Sequence, residues 1–99
     1  MLEKLTIDTF RPLVGCTFRV LVDERWELRA RLTAVESLNE ASASGRPREP
    51  FTLFFHAPPE ARLPQRTYRV EAEGIEPMDL FLVPIGADPD GMRYQAVFT

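Results

Sequence analysis

Apolar side chains along the chain change their period once near the start and then keep the new one. Leu5, Ile7, Phe10, Leu13 and Val14 recur at near-helical spacing, with Thr6 or Thr9 placed to cap the segment and Gly15 to end it. One short helix is predicted there. Pro12 fits if it lies in the first turn, where its missing N–H costs no intrahelical hydrogen bond. From Thr17 the period falls to two. Phe18, Val20 and Val22 alternate with Arg19 and Leu21, and Trp26, Leu28, Ala30 and Leu32 alternate with Glu27, Arg29 and Arg31. Asp23-Glu24-Arg25 is an odd-numbered connection, so both apolar sets face the same side when Val22 lies opposite Trp26 and Val20 opposite Leu28. The alternation breaks at Thr33-Ala34, which predicts a bulge or bend.

The second half repeats the strand pattern. Asn39 to Glu49 is polar and aperiodic and reads as a mobile loop. Phe51 to His56 is an aromatic strand closed by Ala57-Pro58-Pro59. Tyr68, Val70 and Ala72 mark another strand, with Gly74 to Pro77 as its turn. Met78 to Ile85 is nearly continuously apolar. Asp88-Pro89-Asp90-Gly91 is a tight-turn signature, and Met92, Tyr94, Ala96 and Phe98 alternate beyond it. The late connections are too short for parallel crossovers. The expectation is a mainly β, single domain over residues 1–99: a six-stranded antiparallel small barrel or sandwich with one short N-terminal helix.

Composition narrows the classes. The 99 residues carry a formal charge of -3 and are 44% apolar, which suits one modest folded core rather than a disordered chain. No apolar run is long enough for a membrane helix. Basic and acidic residues are interspersed without a basic excess, so neither nucleic acid nor membrane is expected as a partner. The opening residues do not read as a classical signal peptide, and Cys16 is the only cysteine; both point to a reducing, cytoplasmic setting.

Candidate chemistry is sparse. His56 is the only histidine, so a hydrolase would have to be built around it, and zinc has too few ligands. Cys16 is expected to be a packed, inert thiol. Asp88 and Asp90 have a turn explanation, and Glu71 and Glu73 read as outward, solvated acids. No catalytic residue, cofactor or metal is assigned, and the chain is not expected to be an enzyme.

Two features point to interaction instead. Phe54, Phe81 and Val83 face opposite to Leu53, Phe55, Leu80 and Leu82, so these strands are apolar on both sides. Either the N-terminal helix, through Phe10, Leu13 and Val14, covers the second face together with a long loop, or that face meets another chain, a second copy included. Arg19, Arg29 and Arg31, with Arg69 nearby, lie on outward positions. Arg19 falls opposite Arg29 or Arg31, a repulsion that Glu27 and Glu71 or an anionic partner would relieve. Phe54, Phe81, Val83, Arg19, Arg29 and Arg31 form the candidate partner surface. The competing reading is a small-ligand binder with Tyr68, Trp26 or Tyr94 lining the barrel mouth.

Phe10, Leu13-Val14-Gly15, Phe18, Pro50-Phe51, Leu53, Phe55, Thr67-Tyr68, Leu80 to Gly86, Tyr94 and Ala96-Val97-Phe98 together resemble a bacterial family of small β-rich proteins, the DUF6916-like domains of unknown function. The likeness spans nearly the whole chain and supplies no catalytic residues. It implies an accessory or assembly role, with a phage-tail-like or collar-type fibre protein as partner.

Overall fold

The computed structural model describes residues 5–37, 50–60 and 62–98. The predicted loop 39–49 lies outside the described residues. Among the described residues a single short helix, α1 (Ile7–Phe10), runs into a 3₁₀ turn over Arg11–Leu13. Six strands follow: β1 (Thr17–Leu21), β2 (Glu27–Ser37), β3 (Phe51–Ala57), β4 (Arg66–Ala72), β5 (Ile75–Asp88) and β6 (Gly91–Phe98). All pairings are antiparallel. The order β1-β2-β3-β6-β5-β4 closes on itself through β4 and β1, so each strand has a neighbour on both sides. Closure leaves two faces, one enclosed and one outward.

The helix is shorter than its apolar period suggests because Pro12 cannot donate to the carbonyl four residues back. Thr6 starts it: its N–H donates to Thr9 Oγ1 at 3.0 Å, and Thr9 N–H donates to the Thr6 carbonyl at 2.9 Å. Gly15 ends the segment at φ +95°, a conformation glycine adopts without a Cβ penalty. Its N–H then donates to the Leu32 carbonyl at 2.7 Å, and Leu32 N–H donates to the Cys16 carbonyl at 3.0 Å. These bonds tether the leading segment to β2.

Side-chain alternation sorts the residues onto the two faces. Phe18, Val20, Leu28, Ala30, Leu32, Leu53, Phe55, Tyr68, Val70, Met78, Leu80, Leu82, Tyr94 and Ala96 are buried. Phe18 packs edge-on against Phe55, ring centres 5.3 Å apart. Phe10 is completely buried between Phe51 at 5.8 Å and Phe98 at 5.4 Å, and those two rings stack at 4.6 Å. Such ring pairs contribute about 0.5–1.5 kcal/mol beyond their buried area. The helix therefore joins the enclosed core through Phe10. Leu13 is only half-buried and Val14 is exposed, so the expected cover of the outer face by this segment is not what forms.

The first hairpin has the predicted register, with Val20 opposite Leu28 and Val22 N–H donating to the Trp26 carbonyl at 3.0 Å. Trp26 itself departs from expectation: it sits at the hairpin turn, 46% exposed, beyond the last rung of the enclosed face. The predicted bulge appears as a register shift between Leu32 and Ala34. It restores the alternation, so that Val35 lies opposite Leu53 and Ala34 opposite Phe54. Strand β5 runs longer than Met78–Ile85. It pairs first with β4, with a register shift between Val70 and Ala72, and then with β6, with another between Pro84 and Gly86 where proline supplies no ladder donor.

Candidate functional site

The outward face is organised in rungs that cross several strands. In one rung Thr17 of β1 lies opposite Arg31 of β2, Arg31 opposite His56 of β3, and His56 opposite Arg93 of β6. In the next, Ala34 lies opposite Phe54, Phe54 opposite Gln95, and Gln95 opposite Val83 of β5. A basic row thus runs alongside an apolar one. Two residues further along their strands, Phe81 is 50% exposed and Val97 is 47% exposed.

The predicted arginine cluster forms, with Arg19 directly opposite Arg29. Compensation also follows expectation. Arg19 donates to Glu71 Oε1 at 2.9 Å, and Arg29 Nε lies 3.9 Å from Glu27 Oε2. Arg69 pairs with Asp79 at 3.3 Å on the neighbouring strand. Arg31 and Arg93, by contrast, make no ion pair among the described residues.

His56 stands between them. Its Nε2 meets Asp88 Oδ1 at 3.2 Å, and Asp88 Oδ1 also accepts from Asp90 N–H at 2.9 Å within the β5–β6 turn. The His56 hydrogen bond, with help from the turn amides, holds the Asp88 carboxyl below its ordinary range. Gly91 makes this arrangement fit. A Cβ there would overlap the Ala57 carbonyl oxygen and come within 2.8 Å of His56 Cε1. A His–Asp pair is two parts of a nucleophilic triad; the cross-strand neighbours of His56 are Arg31 and Arg93, and Cys16 and Thr17 line the same hollow as the imidazole.

Two open hollows flank the row. The larger, about 720 Å³, is lined by Arg19, Arg29, Arg31, His56, Cys16 and Thr17 among others, with Glu73 and Asp90 also in its wall. The smaller, about 280 Å³, includes Phe54, Ile85, Arg93, Tyr94, His56 and Glu36. His56 belongs to both.

Several expected residues fall elsewhere. Cys16 is exposed rather than packed, because the Gly15 turn sets it on the rim of the larger hollow before the enclosed alternation begins at Phe18. Tyr94 borders the smaller hollow, and Tyr68 lines neither of the two. Both are buried: Leu63 N–H donates to Tyr94 Oη at 2.9 Å, and Tyr68 Oη donates to the Pro64 carbonyl at 2.6 Å. They anchor the β3–β4 connection, and Trp26 is exposed at the first hairpin turn. Burial pushes the Tyr68 phenol up, opposed by Arg66, whose guanidinium lies 5.3 Å from the ring centre. Phe54 and Val83 are half-buried and Phe81 exposed, as outward positions require.

Arg93, Ile85 and the His56–Asp88 contact were not singled out from sequence. Arg93 alternates with Tyr94, which marks it as outward. That it stands beside His56 depends on a β3–β6 pairing that no local turn announces. No helix among the described residues is long and apolar enough to cross a membrane.

Residues 5–98 match the family model of DUF6916, a domain of unknown function, and the chain belongs to that family. Neither a curated protein nor a solved structure matches it.

Proposed function

We propose that this member of the DUF6916 family is a non-catalytic interaction module that binds another protein chain through the outward face of a small β-barrel. The observation that supports this reading is the apolar strip on that face. Phe81 and Val97 are about half exposed, and the Phe54–Gln95–Val83 rung lies beside them. A closed sheet already has its core inside, so aromatic and aliphatic groups on the outer side serve no packing need of the described fold. They have the character of anchors for a partner, and the adjoining arginines provide selectivity. An accessory or assembly role in a bacterial or phage-tail-like apparatus is the setting we infer from the family likeness, and the lone cysteine favours a cytoplasmic one.

Light scattering and co-purification from the native host test the proposal, with wild type compared against Phe81→Asp. The wild type is expected to associate with itself or retain a specific partner chain, and Phe81→Asp to lose that association while keeping its thermal unfolding transition. A wild type that is strictly monomeric and retains no chain contradicts it.

A further inference from the structure

The basic row and the apolar rung beside it call for one kind of occupant. Arg31 and Arg93 flank His56 on consecutive strands, and the histidine's partner Asp88 is already engaged through the same oxygen by Asp90. Acids are present in the surrounding walls, Glu36, Glu73 and Asp90, but none of them forms an ion pair with Arg31 or Arg93 among the described residues. Arg19 and Arg69 are matched to carboxylates at 2.9 and 3.3 Å and Arg66 lies over the Tyr68 ring, whereas Arg31 and Arg93 have neither kind of partner among the described residues. The unmatched row is therefore where an incoming anion gains most, because charge-assisted hydrogen bonds to a guanidinium are about twice as strong as neutral ones.

Shape limits the anion further. The two hollows meet at His56, one presenting Arg29 and Arg31 and the other Phe54 and Ile85 next to Arg93. A bare oxyanion would use the arginines and leave the apolar seat empty. A nucleic acid would bring a charge at every nucleotide against Glu73, Asp90 and Glu36 in the hollow walls, whereas a peptide can confine its carboxylates to the positions over the arginines. An extended peptide suits both hollows: its side chains on one face repeat about every 7 Å, so one carboxylate can reach Arg31 while a neighbouring apolar residue enters beside Phe54.

We infer that the row Arg31–His56–Arg93, with the flanking hollows, binds an acidic extended segment of a partner protein that carries a bulky apolar residue. This rests on the interaction reading above and names the chemistry of its partner. The carboxylates lie over Arg31 and Arg93, and the apolar residue lies against Phe54 and Ile85.

Fluorescence anisotropy of the full chain with a labelled extended peptide, glutamates flanking one phenylalanine, tests the inference. The glutamate peptide should bind at low salt and weaken by roughly tenfold when its glutamates are replaced by glutamines. Arg31→Glu should weaken it by a similar roughly tenfold factor, whereas Arg69→Glu, on the opposite flank, should stay within about twofold. Equal binding of the glutamine peptide, equal loss in both variants, or displacement by inorganic phosphate alone would each overturn it. The light-scattering result with Phe81→Asp is read separately. Partner retention without glutamate-peptide binding defeats this inference and leaves the interaction reading in place.

Discussion

Two pairs of outward arginines on opposite sides of the same closed sheet are treated in opposite ways. Across β4–β1 and β4–β5, Arg19 is held by Glu71 and Arg69 by Asp79. Across β2–β3–β6, Arg31 and Arg93 stand on either side of His56, with no carboxylate paired to either among the described residues. The enclosed core is shared, so the difference is not one of folding need. It shows that a like-charged rung can be balanced within the chain, as at Arg19 and Arg29, and that the second row is not balanced that way. That difference is the ground on which the anionic partner is proposed.

The largest effect should come from the glycine that lets His56 lie in its rung. Gly91→Ala forces a Cβ into the Ala57 carbonyl and against the imidazole, which should cost about 1–3 kcal/mol in chemical denaturation and disturb the β3–β6 ladder. If Gly91→Ala unfolds like wild type, the packing of that flank is looser than described here.

A smaller pair of substitutions compares the flanks directly. Glu71→Gln leaves Arg19 facing Arg29 without its acid and should destabilise by about 0.2–1 kcal/mol, since both partners are partly exposed. Arg31→Gln removes a cation with nothing to lose in the described fold and should be neutral or slightly stabilising. Equal destabilisation by the two would erase the distinction between the flanks.

The smallest effect is acid dependence. Because the His56 hydrogen bond depresses the folded-state pKa of Asp88, its contribution to stability is present above the ordinary aspartate value of about 4. It is lost as pH falls through the lower folded value. Thermal melts of Asp88→Asn should show a shallower decline than wild type in that acidic window. Parallel declines would mean that the His56–Asp88 contact contributes little.

Much of the scaffold was legible because it is written locally. Alternation placed Phe18, Val20, Tyr68 and Leu80 inside, parity of the Asp23–Arg25 connection gave the first register, and the broken pattern at Thr33-Ala34 gave the bulge. That Arg19 faces Arg29 or Arg31, with Glu27 and Glu71 as acids able to relieve the repulsion, followed from the same reasoning; the pairing selects Arg29. What escaped depends on distant pairings. His56 meets Arg31 and Arg93 only because β3 inserts between β2 and β6. Phe10 could equally have covered the outer face by periodicity; its insertion between Phe51 and Phe98 is decided by where those strand ends converge. Cys16 and Trp26 sit at the limits of strands, where alternation predicts a side but not enclosure.

Backbone amide resonances of the full chain, followed while the glutamate–phenylalanine peptide is added, locate its docking site. Shifts should concentrate at Arg31, Phe54, His56, Arg93 and Gln95, with Arg69 and Asp79 unmoved. Shifts centred on the β4 flank, or none at saturating peptide, would contradict that placement.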